Sequence, residues 1–418
     1  MSGEIITIGT ELISGSTLDI NSCYVAERIT SAGLQITRIT SVGDDLQRVY
    51  VILKRAITRS DFVIVTGGLG STDDDLTSEI AAKAFNRTLH LDKEMRAKIE
   101  SFIKANKIES TPTLEKMAWI PEGSKLLNPK GMGCGFSLVE NNIQLYFLPG
   151  VPAQVRSLID KFVLPKLLSL YQDRPVMKQR ILKLYGLNEA TIADMFKQLK
   201  GRTGKAVFGF YPKFPENHIT ISLKGEDPGA VNYDLDRVET LIRGIMGTYI
   251  FCTGHFTMED VVGRMLKARN LTIAVAESCT GGLIGHRLTN VSGSSQYFMG
   301  GNIVYSNQAK TDYIKVRPET IAKYGAVSDE TVREMARGII NSYKTDLALA
   351  VTGIAGPDGG TVEKPVGTVN IGLVSKNKIF SDKYYFQGDR KQIKLNASTM
   401  ALDYVRRYLK GDPFIPGI

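Results

Sequence analysis

The sequence predicts an α/β protein in which an amino-terminal parallel-sheet segment and a carboxy-terminal α/β segment flank a small α+β connector, and three observations carry that expectation. Short apolar runs alternate with helical patterns at both ends of the chain, and glycine-rich turns follow several of those runs. A polar break near position 171 then leads into closely spaced strands. With 418 residues, 43% apolar and 23% charged, the chain is long enough for two or three separate cores.

In the first segment, 1–170, residues 5–8 read as a strand and a helix begins near Ile20. Residues 36–39 form a second strand, a helix follows Asp45, and residues 61–66 form a third strand that ends in glycines. This βαβαβ order predicts a parallel sheet covered by helices, with ligands beyond the carboxyl ends of its strands. An apolar helix over 154–170 precedes the polar break 171–175. The connector, 171–254, reads as a strand (181–185), a helix (189–199), two strands (206–211 and 218–223) and a helix (234–246). The third segment, 255–418, opens with a helix and carries strands over 272–276, 347–351 and 368–374, which makes it a second α/β domain.

The formal net charge of +9 favours anionic ligands. Lys and Arg are spread along the chain without a dense block, so a nucleic-acid surface is not expected. Cys23, Cys134, Cys252 and Cys279 lack paired spacing, which argues against a zinc ribbon or a disulfide framework. His90, His218, His255 and His286 are equally dispersed. The amino terminus becomes polar at Ser2 and Glu4, so a cytoplasmic protein without an export signal or membrane segment is expected.

The richest chemistry lies in Ala276-Glu277-Ser278-Cys279-Thr280-Gly281-Gly282, a strand-to-helix turn. Acyl transfer requires a nucleophile, a base and donors for the oxyanion; Ser278, Lys310 and the glycine turn are candidates for the three roles. Lys310 acts as a base only as a neutral amine, which burial promotes. Tyr305, five residues earlier, is placed to orient the lysine or relay a proton. Cys279 is the rival nucleophile, with a small packing residue as its plainer role. Gly353 opens a second glycine-rich stretch, 353–360, which reads as a pocket loop.

Together with Tyr305-Ser306-Asn307-Gln308-Ala309-Lys310, Gly325-Ala326-Val327-Ser328, Glu363-Lys364-Pro365-Val366-Gly367-Thr368-Val369 and Gly388-Asp389-Arg390, these motifs resemble the carboxy-terminal domain of the CinA family, which includes nicotinamide-nucleotide amidases. The resemblance implies hydrolysis of nicotinamide mononucleotide to nicotinate mononucleotide and ammonia, without a cofactor, through an acyl-enzyme on Ser278 with Lys310 as its partner. The substrate phosphate would meet Thr280, Gly281 and Gly282, with Arg390 as a cation. A homodimer is the expected assembly.

In the first segment, Thr66-Gly67-Gly68-Leu69-Gly70-Ser71-Thr72-Asp73-Asp74-Asp75 joins a glycine turn, which admits phosphate, to carboxylates, which repel it unless a divalent cation bridges the two. With Gly9-Thr10-Glu11, Val42-Gly43-Asp44 and Leu148-Pro149-Gly150, this resembles the molybdopterin-binding-type domain at the front of CinA proteins. Some members hydrolyse ADP-ribose with Mg, Mn or Co. The resemblance points to Gly67, Gly68, Asp44 and Asp75, with Glu11 and Asp74 beside them, and to Asp44 and Asp75 as metal ligands. Ser71 and Gln154 stand where the family has proline and an acidic residue, so nucleotide binding without hydrolysis is the alternative.

Overall fold

The computed structural model describes residues 1–107, 112–128, 135–171, 175–375 and 378–417. Residues 172–174 of the polar break, and Cys134, lie outside these ranges. The chain forms two compact units: Met1–Gln179 with Leu223–Tyr233, and Arg180–Ser222 with Asp234–Ile418.

The first unit contains β1 (Ser2–Ile8), β2 (Gln35–Val42) and β3 (Phe62–Thr66), then a two-stranded ribbon of β4 (Leu89–Leu91) and β5 (Trp119–Pro121). With β6 (Lys125–Leu126), β7 (Phe136–Glu140) and β8 (Ile143–Leu148), a six-stranded sheet is completed in the order β2-β1-β3-β8-β7-β6. β2, β1, β3 and β8 are parallel, while β7 and β6 run antiparallel to their neighbours. Alternation sends Ile6, Ile8, Val63 and Val65 into one core and Ile5, Phe62 and Ile64 into another on the opposite face. Burial on both faces is why these strands read as unbroken apolar runs. Asp19 and Asp45 start the helices Ile20–Ser31 and Leu46–Ala56 by accepting the amides of Ser22 and Arg48. The helical run 152–170 widens at Ile159–Val163, next to Pro165, whose nitrogen carries no hydrogen to donate.

A four-stranded sheet follows, formed by β9 (Val176–Leu184), β10 (Val207–Lys213), β11 (Glu216–Gly225) and β12 (Ile250–Thr253) in the order β10-β11-β9-β12. β10 is therefore an edge strand. Phe196, on the helix Glu189–Lys197, packs edge-on against Phe208 and Phe210 of β10.

The last sheet comprises β13 (Ile273–Glu277), β14 (Phe298–Ile303), β15 (Leu347–Gly353), β16 (Thr368–Ser375) and β17 (Lys378–Tyr385), ordered β14-β13-β15-β16-β17. The first three in that order are parallel, and β16 and β17 are antiparallel. On one face Ala274, Ala276, Ala348 and Ala350 meet the helices Asn307–Ile314 and Asp329–Tyr343; on the other, Ile273, Val275, Leu349 and Val351 meet Met258–Ala268 and Arg390–Lys410. The fully buried Asp403 pairs with both Arg406 and Arg407, each at 2.6 Å, Asp412 lies 3.5 Å from Arg406, and Arg406 also donates to the Thr248 carbonyl. From β13 the chain crosses to β14 on one side and then to β15 on the other, which makes the carboxyl ends of β13 and β15 a topological switch point.

Candidate active site at the switch point of the second sheet

β13 is buried along its whole length and delivers Ser278 to that switch point, where the Ser278 amide bonds the Val351 carbonyl at 3.0 Å. The turn into the helix Leu283–Thr289 requires left-handed backbone at Gly282, φ 92°, which a residue with a Cβ rarely adopts. No side-chain oxygen caps that helix from the usual position. Instead the Glu277 carboxylate reaches forward to the amides of Gly282, Ile284 and Gly285 at 3.0, 3.1 and 2.8 Å. A buried anion thus occupies the helix start, where backbone donors and the dipole favour negative charge.

This changes the role expected of the glycine turn. The Gly282 amide is taken by Glu277 and the Gly281 amide bonds the Ser278 carbonyl at 3.1 Å, so neither is free for a substrate phosphate. Among the described residues, the amides of Cys279 and Thr280 have no backbone carbonyl partner. The fully buried Thr280 hydroxyl also has no hydrogen-bond partner.

Ser306 caps the helix Asn307–Ile314 and sets its phase, which turns Lys310 inward. The side chain is 1% exposed, and its Nζ donates to Ser278 Oγ at 3.0 Å and to the carbonyls of Val304 and Tyr305 at 2.9 and 3.1 Å. As an ammonium it would use all three hydrogens. As a neutral amine it keeps two for the carbonyls and turns its lone pair to the Ser278 hydroxyl. Burial depresses the Lys310 pKa, and the neighbouring Cys279 thiol opposes this only in part.

Cys279 faces the hydrophobic core on the other side of the turn. Burial pushes its thiol pKa up to about 12, so the rival nucleophile behaves as a packing residue. The Tyr305 phenol does not reach Lys310; only its carbonyl does. The phenol instead accepts from Arg390 Nη2 at 2.9 Å, and Arg390 Nη1 donates to the Gly356 carbonyl at 2.6 Å, tying Tyr305, Arg390 and the loop after Gly353 together. Lys394, one helical turn beyond Arg390, places its ammonium beside Gly281. Sequence reasoning missed Lys394, although its i, i+4 spacing from Arg390 was visible, and it gave no role to Glu277.

At the other end of the chain, the carboxyl ends of β1, β2 and β3 gather Gly9, Asp44 and Gly67. Gly67, φ 100°, passes so close to the Ile8 carbonyl that a Cβ would lie 2.1 Å from its oxygen. The Asp44 carboxylate accepts the Thr10 amide and hydroxyl at 2.7 and 2.8 Å, and Asp75 accepts the Thr72 amide at 3.0 Å. Asp74 is exposed, and the exposed Glu11 folds back over Gly9. A cavity of about 420 Å³ is lined by Gly68, Gly70, Asp75, Glu79, Lys116 and Trp119 among others, and a second of about 470 Å³ by Ile13, Gly43 and Arg48 among others. Asp44 lines neither. Among the described residues no group of three or more His, Cys, Asp or Glu side chains is placed to hold a metal. Among these residues no helix is long and apolar enough to cross a membrane.

These features define a protein with two α/β sheets, each with a loop cluster at its switch point, and a buried Ser–Lys pair at the second. Three family models match the chain: the probable molybdopterin binding domain over 4–169, the damage-inducible protein CinA KH domain over 179–252, and the CinA C-terminal domain over 255–409. A CinA-like protein of Desulfotalea psychrophila is 40% identical over 417 residues, covering 99% of this chain and 100% of that one. Another, from Citrifermentans bemidjiense, is 39% identical over 419 residues and covers both completely. The chain belongs to the CinA-like family. A solved CinA superfamily protein of Klebsiella pneumoniae is 32% identical, covering 37% of this chain and 96% of that one with a TM-score of 0.36.

Proposed function

We propose that the second sheet carries a Ser–Lys amidohydrolase acting on the carboxamide of nicotinamide mononucleotide. The observation behind this reading is the 3.0 Å approach of Lys310 Nζ to Ser278 Oγ, buried and, among the described residues, without a carboxylate paired to the lysine. Neutral Lys310 takes the Ser278 proton as Oγ attacks the carboxamide carbon. The oxyanion meets the amides of Cys279 and Thr280. Lys310 returns the proton to the departing nitrogen, ammonia leaves, and water attacks the acyl-serine by the same route to release nicotinate mononucleotide. Arg390 and Lys394 supply the cations for the 5′-phosphate, and the Tyr305 phenol accepts a hydrogen bond from Arg390.

The direct test is ammonia release from nicotinamide mononucleotide by wild type and by Ser278→Ala, with mass spectrometry of the nucleotide product. Release that requires Ser278 supports the reading. Equal release from a folded Ser278→Ala protein sinks it.

For the first unit, the cavity beside Gly68 and Gly70 favours nucleotide binding. Metal-dependent cleavage of ADP-ribose is the further form of that reading, with Asp75 in the lining of this cavity. Calorimetric titration with ADP-ribose, with and without a divalent metal, separates binding from hydrolysis.

A further inference from the structure

The helix that follows Ser278 ends on a buried cation that the proposed chemistry does not use. Arg287, in the last turn of Leu283–Thr289, is 8% exposed. Its Nε and Nη2 donate to the Glu259 carboxylate at 3.2 and 2.7 Å, and Nη1 donates to the hydroxyls of Ser398 and Thr399 at 2.9 and 2.8 Å. Glu259 stands in the first turn of the helix Met258–Ala268, and Ser398 and Thr399 lie fully buried on the helix Arg390–Lys410. One side chain therefore joins three helices, with the cation at a helix end and the carboxylate at a helix start, where the dipoles favour each.

A charge is costly to bury, and a well-packed apolar side chain of similar volume would hold the helices together as firmly. What an apolar residue does not do is fix direction. A planar guanidinium engaged on all three nitrogens sets both the spacing and the rotation of the elements it joins. Rotation of the carboxy-terminal helix matters because Arg390, Lys394 and Ser398 follow one another at four-residue intervals and share one face of it. That face places Lys394 Nζ beside Gly281. The helix that carries Arg287 starts on the turn that carries Ser278.

We infer that Arg287 is a positioning residue: through Ser398 and Thr399 it holds the Lys394 ammonium at a set distance from Ser278, and so fixes the reach between the nucleophile and the phosphate of a bound mononucleotide. Arg287 itself touches no substrate atom. The inference rests on the reading of Lys394 as a phosphate cation and not on the chemistry at Ser278.

The test measures binding without turnover, by isothermal titration of nicotinamide mononucleotide and nicotinamide riboside into the full chain carrying Ser278→Ala. In this parent, Ser398→Ala together with Thr399→Val leaves the Arg287–Glu259 pair in place. The pair of changes should weaken the mononucleotide by about ten-fold and leave the riboside within about two-fold, since a displaced cation penalises only the ligand that carries the anion. Adding Lys394→Ala should weaken the mononucleotide no further than Lys394→Ala alone, because both changes remove the same contact. Arg287→Lys keeps a charge beside Glu259 without spanning both hydroxyls and should fall between the parent and the double change. Circular dichroism checks that each variant is folded. The inference is overturned if the folded double change binds both ligands as the parent does, if it weakens both equally, as a merely structural brace would, or if its effect adds in full to that of Lys394→Ala. Mononucleotide binding by the parent with no ammonia release from wild type would strike the amidase reading and leave this inference standing, whereas no binding by the parent would strike the inference.

Discussion

Glu277 offers the sharpest test of how the sequence builds the candidate site. Replacing Glu277 with alanine removes the acceptor of three amides at the start of the helix Leu283–Thr289. A buried donor left unpaired costs about 1–3 kcal/mol, which would suggest a large total if all three stayed dry. Gly282 and Gly285 are only half-buried, however, and water can replace much of what they lose. Ile284 is buried and its amide cannot be rescued in that way. The expected local loss is therefore about 3 kcal/mol, most of it from Ile284 and from the loss of charge at the helix start. Hydrogen exchange measured by mass spectrometry on peptides covering 278–289 should show roughly hundredfold faster exchange, since 1.36 kcal/mol corresponds to about a factor of ten. Glu277→Gln keeps a carbonyl oxygen but turns two N–H donors toward an amide, so it should fall between wild type and alanine. Unchanged exchange in Glu277→Ala would refute the view that this carboxylate holds the turn carrying Ser278.

Four further outcomes are expected. Ammonia release should rise with pH with a midpoint below the ordinary lysine value of 10.5, because burial disfavours charged Lys310, and Lys310→Arg should be inactive because a guanidinium does not deprotonate; a rate independent of pH in wild type would contradict the assignment. The lowered folded-state pKa also means that the unfolded chain binds the extra proton between that value and 10.5, so this contribution to stability is present above 10.5 and lost as pH falls through the folded-state pKa. Lys310→Met should accordingly gain stability relative to wild type as pH falls through this window, as read from thermal midpoints in a pH series. Iodoacetamide should label the exposed Cys23 long before Cys279, and Cys279→Ala should retain ammonia release; fast labelling of Cys279 in the folded protein would reopen the thiol as nucleophile. Arg390→Ala and Lys394→Ala should each raise KM for nicotinamide mononucleotide by about ten-fold or more, and leave the ribosides without phosphate almost unaffected, if these cations hold the phosphate.

The sequence made β1, β3, β13 and β15 legible because strands buried on both faces are apolar at nearly every position, as in Phe62-Val63-Ile64-Val65. β14 was not legible: Phe298-Met299-Gly300-Gly301-Asn302-Ile303 alternates between half-buried and exposed, and its two glycines hide the apolar pattern of an edge strand. β12 and β17 were also missed, since four residues at the end of a helix, and a strand rich in Lys, Asp and Ser, give weak periodic signals. Within the site, Ser278 and Lys310 stood out through their motifs. Which atoms meet was not readable: the Tyr305 carbonyl rather than its phenol reaches Lys310, because the chain must turn at Ser306 to start the helix, and that turn points the phenol toward Arg390.

The two switch points use their glycine turns in opposite ways, and the difference dictates where an anion can sit. At the first sheet Gly67 presses against the Ile8 carbonyl, and a cavity opens beside Gly68 and Gly70. At the second, Glu277 has already filled the helix start, and a substrate phosphate arriving there would face a buried carboxylate. Like charges at such short range repel strongly in a low-dielectric site, so the phosphate of a mononucleotide must be held by side chains farther out. Lys394 stands beside Gly281 of the turn, and Arg390, one turn earlier on the carboxy-terminal helix, is held by Tyr305 and the Gly356 carbonyl. It follows that Glu277→Gln should not strip the site of phosphate affinity, whereas Arg390→Ala should. The opposite pattern, measured as inorganic phosphate inhibition of ammonia release, would mean that the helix start and not the Arg390–Lys394 pair is the anion site.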